Sequence, residues 1–124
     1  YSGQLSQVFM NIISNAIDAL IDKRDKLAGG SGTWEPRIEI SSEILEKSET
    51  EWVSVRIADN GPGMPPEIQK RIFEMFFTTK PVGKGTGLGL AISHQIVIQK
   101  HHGQLLMRSH PDIGTEFQIL LPLV

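Results

Sequence analysis

Residues 82–93 read VGKGTGLGLAIS, with glycine at 83, 85, 87 and 89 and then an apolar run without a break. Glycine loses more chain entropy on folding than any other residue. A cluster therefore marks backbone that takes unusual dihedrals or approaches something closely. A loop of this kind at the start of a helix is also a natural anion site, because free N–H groups and the helix dipole point the same way. The same composition suits a surface linker, so the flanking sequence has to decide. No G-x-x-x-x-G-K-[ST] pattern is present, which sets a P-loop aside.

Downstream, residues 88–99 predict a second long helix ending near Gly103, and QLLMRSH (104–110) and GTEFQILLP (114–122) read as a closing pair of strands. Upstream, FEMFFTTKPVGKGTG (73–87) has no clear period and reads as a long loop. It holds Lys80 and Lys84 and no acid after Glu74, which suits a phosphate-facing lid. Phe73, Phe76 and Phe77 crowd its start and read as the anchor of its base.

Before it, DNGPGMPP (59–66) breaks a strand, and Pro65 or Pro66 opens a short helix over 66–72. Ile38, Ile40 and Ile44 alternate with polar residues, as do Val53, Val55 and Ile57 beyond the turn EKSETE (46–51). These predict two strands of an antiparallel hairpin with one buried face. GGSGTWEP (29–36) is a loop by composition. Ahead of it, Leu5, Val8, Phe9, Ile12, Ile13, Ala16, Ile17, Leu20 and Ile21 recur at helical steps, predicting an amphipathic helix over 3–28 that ends at Gly29-Gly30.

The order is helix, two strands, short helix, long loop, helix, two strands. It predicts an α/β (α+β) two-layer sandwich, with a mixed, largely antiparallel sheet and helices on one face. At 124 residues the chain reads as a single domain, 1–124. A net charge of −2 argues against a general nucleic-acid binder. Without cysteine there are no disulfides and no thiolate metal sites. No apolar run approaches membrane-spanning length, and the first residues lack the charged-then-apolar layout of a signal peptide. YSGQLSQ is an unusual natural start, so a fragment of a longer protein is expected.

Two places besides the glycine loop carry candidate chemistry. Asn11 and Asn15, continued by Asp18 and Asp22, form a stripe that a helical projection places opposite the Leu5–Ile12–Ile13–Ala16 face. Such a stripe is ordinarily the solvated side. Asparagine is nevertheless a poor helix-interior residue, and its amide oxygen suits Mg²⁺, which keeps waters and phosphate oxygens among its ligands. Asp59, with Gly61 and Gly63 behind it, sits at a strand end where a carboxylate can accept from an exocyclic amine and a ring can approach the backbone. D-N-G is equally a common turn.

Taken together, these segments resemble the catalytic, ATP-binding domain of sensor histidine kinases, within the GHKL ATPase superfamily. QVFMNIISNAIDAL (7–20) is similar to the family's N box and DNGPGM (59–64) to its first glycine box. IFEMFFTTK (72–80) resembles the F box, GKGTGLGLAIS (83–93) the second glycine box, and GTEF (114–117) the last small motif. The resemblance implies that Asn15 coordinates Mg²⁺ against the triphosphate, with Asn11 assisting. It implies that Asp59 binds the adenine amino group with support from Thr115, and that Gly61 and Gly63 let adenine pack closely. Lys84, Gly85, Thr86, Gly87, Leu88 and Gly89 would wrap the phosphates as an ATP lid. Many family members carry a basic or aromatic residue a turn beyond the second N-box Asn, where this chain has Asp18 and Ala19. Asp18 reads equally as an acid near Mg²⁺ or as a solvated helix residue.

The implied function is MgATP binding and transfer of the γ-phosphate to a histidine on a separate phosphoacceptor and dimerisation domain, in two-component signalling. His94, His101, His102 and His110 lack the following acid of an acceptor motif, so that domain is expected upstream. A response regulator is the expected downstream partner, the location cytoplasmic whatever anchor the parent carries, and the fragment itself monomeric. Two alternatives remain. An ATP hydrolase would be like the chaperone and topoisomerase relatives, in which a Glu stands where this chain has Asn11. A regulatory module would bind nucleotide without phosphotransfer.

Overall fold

The structure is a computed structural model and describes residues 2–27, 33–75, 77 and 89–123. The chain runs α1 (Ser2–Lys26), β1 (Ile38–Lys47), β2 (Thr50–Asp59), a short α2 (Pro66–Gln69), α3 (Gly89–Gln95), β3 (Gln104–His110) and β4 (Gly114–Pro122). The strands form one sheet in the order β1-β2-β4-β3, and all three described pairings are antiparallel. The expected two-layer architecture and the positions of β3 and β4 are as the pattern predicts.

Register explains the core. Ile57 lies opposite Phe117, Val55 opposite Ile119, Leu105 opposite Ile119 and Met107 opposite Phe117, so one sheet face is apolar. Val8 and Ile12 of α1 and Ile96 and Val97 after α3 cover that face and join Ile57, Leu105, Phe117 and Ile119 in one buried cluster. Burying an aliphatic side chain of this size is worth about 1.5–3 kcal/mol. The other face is mixed, with Leu106 and Leu120 beside polar pairs in which Gln118 donates to Ser54 and Arg56 and Arg108 both reach Glu116. Helices are needed on one side only.

The elements differ from expectation in four respects. The first hairpin turns on Ser48 and Glu49 alone, both with positive φ (53° and 64°), rather than over 46–51. Those are the dihedrals of the two-residue turns that match strand twist, and no Asn-Gly signals them here. The short helix stops at Gln69. The helix after the glycine loop is α-helical only to Gln95 and ends in a π-helical turn, Ile96–Lys100, which closes on the Gly103 N–H to Val97 carbonyl bond.

The buried face expected of β1 is also absent. Ile40 and Ile44 are 58% and 64% exposed, although they lie opposite Ile57 and Val53. β1 is an edge strand, and the described helices sit over β2, β4 and β3. For the same reason Ile17 and Ile21 of α1 are exposed, while Val8, Ile12, Ala16 and Leu20 are buried.

Candidate functional site

One row of α1 organises the region in which the candidate residues meet. Residues four apart on a helix are surface neighbours, and Asn11, Asn15, Ala19 and Lys23 form such a row along one flank of the buried stripe. Asn11 Nδ2 donates to the carbonyl of Gly89 at 3.2 Å and to the Ser93 hydroxyl at 3.1 Å. Ser93 is fully buried. The asparagine stripe therefore does not lie opposite the core. It borders the start of α3, because the third helix packs on α1 and turns a flank of it into an interface. Asn15, one turn on, is half-buried, whereas Asp18 and Asp22 are exposed. Asp22 pairs with Lys26 in solvent at 3.2 Å.

Ala19 packs on the loop that follows β2. A side chain at Gly61 would meet the Ala19 Cβ at 3.2 Å and Asp59 Oδ1 at 2.9 Å. Asp59 ends β2, and its Oδ1 accepts the Gly61 N–H at 2.8 Å. The backbone N–H of Thr115, its cross-strand partner on β4, also donates to the carboxyl. Burial pushes the Asp59 carboxyl above its ordinary value. The two N–H bonds and the charge of Lys23 act in the opposite direction without cancelling that effect. A half-buried carboxylate held by two backbone donors is an oriented acceptor for an N–H-bearing ligand.

The glycines divide into two kinds. At Gly63 (φ +69°) a Cβ would fall on the His110 carbonyl, and at Gly114 (φ +151°) on the Asp59 carbonyl, so the protein's own backbone requires both. At Gly89 an added Cβ would only touch Asn11 at 3.7 Å, an ordinary contact. Gly114, whose close approach seats β4 against Asp59, opens the GTEF motif, but sequence reading gave it no role of its own. The remaining lid positions Lys84, Gly85, Thr86, Gly87 and Leu88 lie outside the described residues.

Thr115 is buried, and its hydroxyl bonds that of Ser109 at 2.8 Å. Ser109 also accepts from the Met64 N–H, and Gln69 of α2 donates to the carbonyls of Met64 and Ser109. The loop after β2, α2 and both closing strands are thus one hydrogen-bonded unit. Phe73 stacks on His94 of α3 at 4.8 Å and meets Phe117 edge-on at 6.4 Å, while Phe76, also expected as an anchor of the loop's base, lies outside the described residues. Sequence reading also passed over Lys23. Its signal was available: it is the next residue at four-step spacing after Asn11, Asn15 and Ala19.

No group of three or more His, Cys, Asp or Glu suited to a metal occurs among the described residues. No described helix is long and apolar enough to cross a membrane.

The chain belongs to the family described as histidine kinase-, DNA gyrase B- and HSP90-like ATPases, whose model matches residues 2–124. It is 41% identical over 120 residues to the two-component sensor PprA of Pseudomonas aeruginosa, covering 97% of this chain and 12% of that protein. With sporulation kinase A of Bacillus subtilis it shares 38% over 119 residues, covering 96% of this chain and 16% of the relative. The chain thus spans about an eighth to a sixth of these curated relatives. Among solved structures, the catalytic domain of histidine kinase ThkA superposes with a TM-score of 0.71 at 32% identity, covering 98% of this chain and 69% of that one. A mycobacterial sensor histidine kinase, MprB, gives 0.69 at 29% identity, covering 98% and 74%. The class defined by fold and sequence is that of histidine-kinase-type ATPase domains.

Proposed function

We propose that this chain, as a single catalytic and nucleotide-binding domain, binds MgATP and supplies its γ-phosphate to a histidine on a separate phosphoacceptor domain of a two-component sensor. The supporting observation is the carboxyl of Asp59, fixed at the end of β2 by the N–H groups of Gly61 and Thr115 and kept partly from water. Ionised, it accepts the adenine amino group. The ring then lies along the Asp59–Gly63 loop, with the Ser109–Thr115 hydroxyl pair behind it.

Asn15 offers a neutral amide oxygen to Mg²⁺ that arrives already bound to phosphate. That ion demands few protein ligands and keeps waters and phosphate oxygens. Held there, the ion would supply charge neutralisation on the triphosphate. Asn11 is held by its bonds to Gly89 and Ser93 at the start of α3. Lys84, Gly85, Thr86, Gly87, Leu88 and Gly89 would wrap the phosphates, as the family pattern implies. An imidazole nitrogen of the acceptor domain attacks the γ-phosphorus as the bond to the β–γ bridging oxygen breaks and ADP leaves. Positioning and charge neutralisation carry the step.

The hydrolase reading is disfavoured, since the amide of Asn11 cannot take a proton from water. A response regulator as receiver and a cytoplasmic location complete the proposal.

The test is calorimetric titration with a non-hydrolysable ATP analogue, with and without Mg²⁺, beside Asp59→Asn, followed by addition of an acceptor-helix domain. Mg²⁺-dependent binding lost in Asp59→Asn, then phosphohistidine on the acceptor, is the expected result. Binding without transfer would favour the regulatory module, and steady phosphate release by the chain alone would favour the hydrolase.

A further inference from the structure

Lys23 stands at the C-terminal turn of α1, where a basic residue is ordinarily read as a partner for the helix dipole. Its surroundings are more specific. The ammonium nitrogen lies 3.3 Å from each of three carbonyl oxygens, those of Asn60, Gly61 and Asp112. An ammonium has three protons and no acceptor capacity, so three carbonyls satisfy it completely. The first two carbonyls belong to the loop directly after Asp59, and the third to the β3–β4 turn, where Asp112 is held at φ 67°.

Two further contacts brace the same place. The Asp112 N–H donates to the Pro62 carbonyl at 2.6 Å, and Trp34 Nε1 donates to the Asn60 carbonyl at 2.9 Å. The Trp34 ring lies beside the ammonium, 5.2 Å from ring centre to Nζ. Asn60 in turn fixes the segment before β1, accepting from the Arg37 N–H and donating to the Glu35 carbonyl.

We infer that Lys23 is a positioning residue for the nucleotide base, its ammonium tying α1, the Asp59–Gly63 loop and the β3–β4 turn into one rigid floor. The inference rests on the reading of Asp59 as the adenine acceptor. Backbone carbonyls gathered around one cation lock the loop dihedrals that aim the Asp59 carboxyl, and a charge-assisted bond is roughly twice as strong as a neutral one. The same charge favours the ionised carboxylate. The ionisable groups on these elements are Asp18, Asp22, Lys23, Arg24, Asp25 and Lys26 of α1, Glu35 and Arg37 before β1, and His110 and Asp112 at the turn. Of these, Lys23 is the one whose charge acts on Asp59.

The test compares ADP binding by the unmodified chain, Lys23→Met, Lys23→Arg and Asp59→Asn across a pH series, with far-ultraviolet dichroism as the check of fold. Lys23→Met is expected to weaken ADP about tenfold or more, the scale of one lost charge-assisted hydrogen bond. The pH at which affinity fails on acidification should move upward in Lys23→Met and stay in place in Lys23→Arg. Lys23→Met with unchanged affinity and pH midpoint, while Asp59→Asn loses binding, would overturn the inference and leave the site intact. Asp59→Asn without loss would instead overturn the reading of the site.

Should Lys23→Met not fold, side-chain nitrogen spectra of the unmodified protein decide. A Lys23 ammonium with slowed proton exchange supports the tripod, and one that exchanges like a free surface lysine sinks it.

Discussion

Asp59 is both the candidate recognition group and a local cost to stability. Its carboxyl titrates above the ordinary 3.8 because burial disfavours the charge. A carboxyl with a higher pKa in the fold than in the unfolded chain binds more protons when folded. Stability is therefore greatest below the unfolded value and is lost as pH rises through the folded one. Asp59→Asn is accordingly expected to hold or raise the melting temperature near pH 7 while weakening adenine nucleotides about tenfold or more. A melting temperature several degrees lower would show that the Gly61 and Thr115 bonds outweigh burial. In the unmodified chain, affinity should fall as pH drops through the raised pKa, because the protonated carboxyl no longer offers the same acceptor to the amino group.

The glycines make a second residue-scale prediction. Gly114→Ala sets a methyl group on the Asp59 carbonyl at φ +151°, and Gly89→Ala sets one in ordinary contact with Asn11. The first should cost about 1–3 kcal/mol or more in chemical denaturation. The second should be neutral or stabilising by up to about 1 kcal/mol, as expected for alanine at a compatible helical position. If Gly89→Ala proves as damaging as Gly114→Ala, the backbone at 89 is not what the geometry indicates.

Among the elements, the hairpin β1–β2 shows how little a strand's own alternation says about burial. Ile40 and Ile57 face each other in register, yet Ile57 is 2% exposed and Ile40 is 58%. Ile57→Ala should cost about 2–5 kcal/mol and Ile40→Ala within about 0.5 kcal/mol, both read from urea denaturation midpoints. Equal costs would mean that the edge strand is covered in solution. The contact between α1 and α3 admits a sharper measurement. A double-mutant cycle on Asn11→Ala and Ser93→Ala should give a coupling of about 0.5–1.5 kcal/mol, the scale of a hydrogen bond partly removed from water. A coupling near zero would dissolve the link between the asparagine row and the start of α3.

At the scale of the molecule, nucleotide should act as a staple. The loop after β2, the β3–β4 turn and α1 converge where the base is proposed to bind. At a hundredfold excess over the dissociation constant, an ADP analogue should add about 2.7 kcal/mol to unfolding, and Asp59→Asn should remove the increment at the same concentration. An increment that persists in the variant would place the base elsewhere.

Much of this was legible from local pattern. Helical periodicity gave α1, and the turn chemistry of DNGPGM marked the end of β2. Alternation gave β3 and β4 to the residue, and the motif order implied the family to which the chain belongs. These features depend on neighbours a few residues apart, which is the range over which side-chain period and backbone preference act. The tertiary structure alone decided which apolar residues are covered, because coverage depends on the helix layer passing over β2, β4 and β3 and leaving the edge strand bare. It alone turned Asn11 from a helix's polar flank toward Gly89 and Ser93, seventy-eight and eighty-two residues away. It also made Lys23 the meeting point of three carbonyls, since nothing in the sequence around Lys23 records that residues 60, 61 and 112 will lie within one ammonium's reach.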